Sequence, residues 1–288
     1  MDMNSGVVDP ADYSKDLNFQ IVYIKIKKVL VNPYSLFYFL KKRFLSILFC
    51  LLKFDKISIL TAGDSHTNLP FRSESKKIVE VHSRDYSNYL NYKKKNQKKK
   101  NKPIVFLDAT FPYFIGDESL LYKKKIDIDL VKWFREHNKF FDKLENIFST
   151  KVIVVAHPKT KGVQNPFFKK RFTDHRTDAT LKLTSSSLFF LCGMYVSTAI
   201  SFPISAYKPI FFLYSDQMKS HNKRQIIFQN QTAELIGAST IDINNFSRAD
   251  ILKNMQVNKQ LYNSYKYKFL TSKKLSDKPN HIILGNII

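Results

Sequence analysis

Short runs of consecutive apolar residues, each followed at once by small or polar side chains, constrain the fold of this chain most strongly. Residues 152–155 are four adjacent β-branched aliphatic residues, which favours a strand buried on both faces and therefore a parallel sheet covered by helices. Similar runs occur at residues 103–107, 188–191 and 209–214, and residues 129–148 place apolar side chains at helical spacing. This alternation predicts an α/β protein with parallel sheets.

The rest of the chain predicts weaker elements and one boundary. Strands are expected at residues 56–60, 77–81 and 240–243, and a helix at residues 249–269. Residues 92–102 carry seven lysines and almost no apolar side chain, which is typical of a solvated linker. We therefore predict two domains, residues 1–100 and residues 101–288.

The charge of the chain indicates an anionic partner without naming it. The 288 residues include 47 Lys and Arg against 24 Asp and Glu, a formal net charge of +23. Such an excess of positive charge favours an anionic partner, whether nucleic acid, a phospholipid surface or a phosphorylated substrate. Scattered lysine clusters without a zinc-finger, RNP or helix-turn-helix signature argue against nucleic acid.

Several chemistries are not indicated by the sequence. Cys50 and Cys192 lie far apart in apolar surroundings without metal-binding or redox spacing, which favours a reducing compartment and no thiol nucleophile. No glycine-rich phosphate loop, dinucleotide fingerprint or serine nucleophile motif is present. Asp127 and Asp129 form the one Asp-x-Asp, at a predicted helix start where acidic residues are expected anyway. We predict no obligatory metal and no cofactor.

The N-terminal part of the chain bears on localisation. The first residues lack the basic start and apolar run of a secretory signal, which predicts a cytoplasmic protein. Residues 29–54 are rich in aromatic and aliphatic side chains, but Lys41, Lys42 and Arg43 interrupt them well short of a spanning helix. Two interpretations stay open: a helix lying in the bilayer interface against anionic lipid, and a core helix with a basic wet face.

Two groups of polar residues are the candidate anion site. His157, Pro158 and Lys159 follow the strand at residues 152–155, and Ser197 and Thr198 precede a predicted helix. Ligands in parallel sheets bind outside the carboxyl ends of the strands, and a helix start offers N–H groups to an anion. The alternatives are a structural histidine and a simple helix cap.

Asp108 is the candidate general base because it is the first carboxylate after the strand at residues 103–107. A carboxylate at the rim of the same cleft is suited to deprotonating an acceptor hydroxyl. The alternative is a loop aspartate in a local turn. Asp64, Asp117 and Glu118 are further candidates.

Taken together, these motifs resemble bacterial glycosyltransferases of the two-domain GT-B fold. A strand ending in His157-Pro158, the Ser197-Thr198 pair and the strand at residues 208–213 are similar to the sialyltransferase-like and Kdo-transferase-like groups. The resemblance covers residues 78–214. It implies two Rossmann-like domains with parallel sheets facing a cleft, the N-terminal domain being reduced. The chain lacks the acidic-acidic-glycine motif that supplies the base in that group.

The resemblance also implies a function. His157, Pro158, Lys159, Ser197 and Thr198 would contact the nucleotide and phosphate of a CMP-activated acidic sugar, with an Asp or Glu as base in an inverting displacement without metal. The expected partners are a nucleotide-sugar donor, a glycan or lipid-linked acceptor and the anionic inner face of a membrane. Nucleic acid is not an expected partner. The alternatives are a nucleic-acid-binding protein and an inactive scaffold of polysaccharide assembly.

Overall fold

The chain divides into two compact units, Met1–Ile57 and Ser58–Ile288. The computed structural model describes residues 40, 41, 44, 58–64, 77–93, 102–108, 128–157, 168, 171, 178–193, 197–221, 223–275 and 277–285. In the first unit Leu40, Lys41 and Phe44 have helical backbone and exposed side chains. The interfacial segment predicted at residues 29–54 otherwise lies outside the described residues. Of the linker predicted at residues 92–102, only residues 92, 93 and 102 are described, and residues 92 and 93 are helical.

The second unit is built on parallel strands. Its described strands are β1 Ser58–Ala62, β2 Lys77–Val81, β3 Ile104–Leu107, β4 Val152–Val155, β5 Phe190–Cys192, β6 Ile210–Tyr214 and β7 Ser239–Asp242. β1 and β2 form a small parallel sheet, and the other five form a large parallel sheet in the order β4-β3-β5-β6-β7. The predicted α/β class with parallel sheets is confirmed.

Helices connect and cover these strands. They are α1 Arg84–Lys93, α2 Leu130–Phe148, α3 Ala179–Thr184, α4 Ser201–Ser205, α5 Asp216–His221, α6 Lys223–Ile236, α7 Arg248–Lys253, α8 Lys259–Tyr265 and α9 Asn280–Gly285. A 3₁₀ turn at Thr198–Ile200 precedes α4, and a π-helical turn at Lys266–Leu270 follows α8.

The large sheet is buried on both faces, as its apolar runs require. Alternate residues of each strand point to opposite faces. Phe106 and Phe211 pack with Phe141 of α2 on one face, whereas Phe190 and Phe212 pack with residues of α4, α6 and α8 on the other. Burying a phenylalanine side chain stabilises a fold by about 1.5–3 kcal/mol, so these rows are a main source of stability.

Helix α2 forms where apolar spacing and capping residues agree. Asp129 is its N-cap and accepts a 2.9 Å hydrogen bond from the Lys132 amide. Ser149 ends the helix in the left-handed conformation with a φ of 48°. The helix buries the aromatic residues predicted as core, including Trp133 and Phe140.

Arg171 contacts the edge strand β4. The amide of Val154 donates a 2.7 Å hydrogen bond to the carbonyl oxygen of Arg171. The Arg171 guanidinium pairs with Glu145 at 3.0 Å and also with Asp142, while Glu145 accepts from the Val152 amide at 2.9 Å. Burial alone would raise the pKa of Glu145, but these hydrogen bonds from Arg171 and Val152 lower it. Arg171 and Glu145 therefore pair two amides of β4 that an edge strand would otherwise leave unpaired.

Residues near 270 and 280 contact the segment that follows the small sheet. His82 follows β2, and its amide donates to the side-chain oxygen of Asn280 at 2.8 Å, while the Asn280 side-chain amide donates to the His82 carbonyl at 2.8 Å. The amide of Ser83 donates to the Leu270 carbonyl at 2.7 Å. Segments almost two hundred residues apart in sequence therefore complete one lobe, which consists of β1, β2, α1 and the chain from residue 266 onward.

Some helices differ from the sequence expectations. After the strand predicted at residues 77–81 the sequence predicts a loop at residues 82–86. Helix α1 instead begins at Arg84, because Ser83 Oγ accepts from the Tyr86 amide at 3.2 Å and caps the helix. The single helix expected at residues 249–269 is interrupted, because Asn258 caps a new helix by accepting from two amides. Helix α6 was not predicted, since it exposes Phe228 and buries Gln229.

Candidate functional site

A cleft of about 520 Å³ opens at the carboxyl ends of β3 and β4. Its size is that of a site for one small ligand. The sheet-side wall contains Asp108, His157, Ser197 and Thr198. One face of α1 also lines the cleft, through Arg84, Asp85, Asn88, Asn91 and Tyr92. The start of α3 contributes two further polar residues, Asp178 and Thr180.

The strand order explains the position of this cleft. From β3 the chain passes to β4 on one side, whereas β5 lies on the other side of β3 and leads on to β6 and β7. The direction of winding therefore reverses between β3 and β5. In open parallel sheets the crevice at such a reversal is where ligands bind.

Asp108 lies at the start of this crevice. Leu107 pairs with both Val155 and Cys192, so the three strands end at the same level. The next residue, Asp108, is 9% exposed, and its amide donates to the Val155 carbonyl at 3.1 Å. The sequence prediction that this carboxylate lies at the rim of the cleft agrees with its position, although burial leaves only a small part of it accessible.

His157 lines the cleft and is half-buried. It follows Ala156 at the carboxyl end of β4. Pro158 and Lys159, predicted to complete this motif, lie outside the described residues. The structure therefore brings His157 into the same cleft as Asp108, and its imidazole has the two nitrogen positions needed to donate to an anion or accept from it.

Ser197 and Thr198 form the remaining part of the sheet-side wall. Ser197 caps the 3₁₀ turn, and its hydroxyl oxygen accepts from the Ala199 amide at 3.2 Å. A hydroxyl that accepts in a cap still has a proton to donate to a ligand, so the observed cap is compatible with the predicted anion site. Because the 3₁₀ turn and α4 are short, the two hydroxyls would contribute more to an anion site than the helix dipole would.

The face of α1 was missed by sequence reasoning. Arg84, Asp85, Asn88, Asn91 and Tyr92 follow one another at intervals of a helical face and all line the cleft. Its apolar stripe, formed by Tyr86, Tyr89 and Leu90, is short and predicts a helix only weakly. The capping serine and the helical spacing of polar residues were the available signals.

Asp85 has an environment different from that of a surface carboxylate. It is half-buried, and this burial raises its pKa, while the neighbouring Arg84 guanidinium partly lowers it. Burial raises the pKa of Tyr265 of α8, and the nearby Asp85 charge raises it further. A half-buried carboxylate beside a cation, facing a cleft, is typical of a residue that exchanges protons.

The described lining of the cleft is acidic, in contrast to the chain as a whole. It contains the carboxylates of Asp85, Asp108 and Asp178 against the guanidinium of Arg84. Asp178 also pairs with Lys182 at 2.7 Å on the surface. Carboxylates accept hydrogen bonds from hydroxyl groups, so this lining suits a hydroxyl-rich ligand better than the continuous phosphates of a nucleic acid.

Other predicted residues lie elsewhere. Asp64 follows β1 and is not among the residues that line the cleft. Asp117 and Glu118 lie outside the described residues. Cys192 is buried, and burial raises the pKa of its thiol, which disfavours a reactive thiolate.

The described residues contain neither a metal-binding cluster nor a membrane-spanning helix. Within the described ranges, no group of three or more His, Cys, Asp or Glu side chains has the arrangement of a metal site. Of the helices that the structure describes, none has the length and apolar character required to cross a bilayer.

Comparison of the chain with known protein families, curated proteins and solved structures gives no match. What supports a function is therefore the cleft and the chemistry of the residues in it.

Proposed function

We propose that the protein is an inverting, metal-independent glycosyltransferase. It binds a nucleotide-activated sugar in the cleft and transfers the sugar to a hydroxyl of a glycan or lipid-linked acceptor. The observation that carries the proposal is the convergence of Asp108, His157, Ser197 and Thr198 at one crevice of the large sheet. These four residues were chosen from the sequence, and they lie on three separate segments of the chain.

The donor phosphate is assigned to the hydroxyl and imidazole groups. Ser197, Thr198 and His157 are all able to donate to phosphate oxygens, and Lys159 follows in the sequence. The acidic remainder of the lining then faces the hydroxyl groups of ribose and sugar. A CMP-activated acidic sugar is the favoured donor because of the resemblance to sialyltransferase-like and Kdo-transferase-like enzymes.

The acceptor is proposed to be presented at the inner face of a membrane. Support comes from the sequence, in which residues 29–54 combine apolar bulk with basic residues, and from the net charge of +23. Basic segments beside an apolar face bind anionic lipid surfaces. The protein would then be cytoplasmic and peripheral.

Thermal stabilisation by nucleotides tests the proposal. CMP, UDP, CDP and GDP are compared, each at a hundred times its dissociation constant, where binding stabilises a protein by about 2.7 kcal/mol. For a protein of this size that raises Tm by roughly 5–10 °C. We expect one nucleotide to act in this way and His157→Ala to weaken its binding at least tenfold.

The matched control is His281→Ala, which removes an exposed histidine of α9. It should bind the nucleotide like the unmodified protein. Stabilisation by an oligonucleotide alone, falling steeply with salt, would instead favour nucleic-acid binding and refute the transferase. Nucleotide binding without turnover of any donor would favour the inactive scaffold.

A further inference from the structure

We propose that the lobe formed by β1, β2, α1 and the chain from residue 266 onward docks on an anionic lipid bilayer through a basic patch. The basic patch consists of four exposed lysines and two exposed isoleucines: Lys268, Lys273, Lys274, Lys278, Ile78 and Ile282. The proposal rests on the proposed function only for the membrane location of the acceptor. It assigns the membrane contact to a surface of the second unit, outside residues 29–54.

Contacts of His82 hold the separate segments of the basic patch at the carboxyl end of β2. A ring nitrogen of His82 lies 2.7 Å from the Thr271 hydroxyl oxygen, and the other lies 2.9 Å from the Lys278 carbonyl oxygen. The His82 amide donates to the side chain of Asn280, the first residue of α9, at 2.8 Å. Helix α9 also packs against β2. The chain that carries the patch lysines and the apolar helix α9 therefore meet at one strand.

Strand β2 itself contributes an apolar side chain and a carboxylate. Glu80 pairs with Lys274 at 3.8 Å. Side chains two residues apart on a strand share a face, so Ile78 lies on the same face of β2 as Glu80, and it is 37% exposed. The Lys274 side chain is 85% exposed, which leaves its ammonium group accessible to a second anion.

Positive charge is concentrated in this part of the lobe. Residues 266–285 include five lysines against one aspartate. The Nζ atom of Lys268 lies 5.3 Å from the centre of the Phe269 ring. That of Lys273 lies 5.5 Å from the centre of the Tyr267 ring. An aromatic ring attracts an ammonium group without neutralising it, so an excess of positive charge remains for an external anion.

Helix α9 presents apolar side chains that the lobe does not bury. Ile282, Ile283 and Leu284 are consecutive, and none of the described residues Asn280–Gly285 is buried. Ile282 is 37% exposed. Apolar side chains beside lysines are typical of segments that lie in a bilayer interface, where the apolar groups enter the acyl boundary and the lysines meet lipid phosphates.

The combination of charge and apolar exposure favours a bilayer over nucleic acid. A nucleic acid pairs its phosphates with lysines, but it offers no apolar layer to the side chains of Ile78 and Ile282. An anionic bilayer offers phosphates and an apolar layer at the same surface.

Vesicle sedimentation tests the basic patch. The protein is titrated with vesicles of phosphatidylcholine alone and with vesicles of an equal mixture of phosphatidylcholine and phosphatidylglycerol. We expect tight binding only to the mixed vesicles, weakening as salt is added. The combined variant Lys273→Gln, Lys274→Gln and Lys278→Gln should bind them about 20-fold more weakly or worse, because each lysine beside an anionic surface strengthens binding by roughly fivefold.

A matched control removes the same charge elsewhere. The combined variant Lys219→Gln, Lys223→Gln and Lys253→Gln changes three exposed lysines of α5, α6 and α7. It has the same net charge as the patch variant, and its affinity for the mixed vesicles should stay within about threefold of the unmodified protein.

The apolar part of the patch has its own pair of variants. Ile282→Ser should weaken vesicle binding by about threefold or more, since an apolar side chain that enters the acyl boundary is lost. Ile227→Ser changes an isoleucine of α6 that is 57% exposed and should bind vesicles like the unmodified protein.

Three outcomes overturn the basic patch. Equal losses in the two triple-lysine variants would make the effect one of net charge alone, and full binding by the patch variant would place the membrane contact elsewhere in the chain. Binding of a single-stranded oligonucleotide but not of vesicles, lost in the patch variant, would assign the lysines to nucleic acid. Nucleotide stabilisation of the same variants separates this surface from the cleft: the patch variant should keep it. Failure to bind vesicles therefore leaves donor binding intact, whereas a lack of nucleotide stabilisation in the unmodified protein refutes the transferase and leaves the vesicle result standing.

Discussion

The backbone N–H of Asp108 donates a 3.1 Å hydrogen bond to the carbonyl oxygen of Val155. Val155 is two residues before His157, so this bond holds the ends of β3 and β4 at the same level. A carboxylate and an imidazole from segments almost fifty residues apart thereby line one cleft. Their relative position is set by backbone pairing in the sheet, which is more rigid than a loop.

Replacement of Ser197 by alanine should affect both stability and ligand binding. The hydroxyl caps the 3₁₀ turn at 3.2 Å from the Ala199 amide, and loss of such a cap costs about 1 kcal/mol. In addition we expect nucleotide affinity to fall at least fivefold, because a proposed phosphate donor is removed. Urea unfolding and nucleotide titration measure the two effects.

The control for this change is Ser247→Ala. Ser247 caps α7 in a capping box with Asp250 and does not line the cleft. It should lose similar stability and keep full nucleotide affinity. Equal affinities of the two variants would show that Ser197 is only a cap.

His137 should make the stability of the fold depend on pH. It is fully buried, and burial lowers its pKa to about 4, with a hydrogen bond to the Trp133 carbonyl acting in the opposite direction. The unfolded chain therefore binds a proton below about pH 6.5 that the folded protein does not bind. The free energy of unfolding should fall by roughly 1.4 kcal/mol per pH unit from pH 6.5 toward pH 4.

Urea unfolding at several pH values between 7 and 4.5 measures this dependence. His137→Leu should reduce the slope by nearly one proton, because its side chain does not titrate. His281→Leu, at an exposed position, should leave the slope unchanged. An unaltered slope in His137→Leu would rule out His137 as the source.

Arg171 should contribute far more to stability than an exposed cation. Its side chain is 9% exposed and pairs with Glu145, which is 15% exposed. Arg171→Met leaves that carboxylate uncompensated beside β4, and breaking a buried pair costs about 3–5 kcal/mol. We expect a loss near the lower end of that range in chemical denaturation.

Lys182→Met is the matched control for Arg171. The pair of Lys182 with Asp178 has side chains 48% and 44% exposed, and exposed pairs contribute about 1 kcal/mol or less. Similar losses in the two variants would contradict the structural role assigned to Arg171.

Gly63 should not tolerate a side chain. Its φ is +66°, and a Cβ added there would lie 2.5 Å from the carbonyl oxygen of Lys268. Gly63→Ala should therefore destabilise the protein by roughly 2 kcal/mol or more. Gly285→Ala, where no atom lies within 4 Å of an added Cβ, should be neutral or slightly stabilising by thermal unfolding.

The sheet-side half of the fold was predictable because its signals are local. Runs such as Val152–Val155 and Ile210–Tyr214 are apolar over their whole length, and the structure has strands there. The position of Asp108, His157 and Ser197 in one cleft followed from the rule that parallel strands end at one edge. Helix α2 followed from apolar spacing and its N-cap.

The α1 half of the site was not predictable for a physical reason. Asp85 and Asn88 lie on a helix whose apolar stripe is short, since α1 is buried mainly through Tyr86, Ser87 and Leu90. What holds this helix is contact with segments distant in sequence, including Leu270. A single sequence contains no measure of such contacts.

The lobe that carries Asp85 has a further property that follows from the hydrogen bonds between His82 and Asn280. During translation, β1, β2 and α1 are synthesised well before their partner segment, which follows almost two hundred residues later. The five-stranded sheet is complete by Asp242, so it is able to fold first and serve as a platform. A nascent chain stalled shortly after that residue would therefore contain the folded large sheet, whereas β1, β2 and α1 would still lack the segment that packs on them.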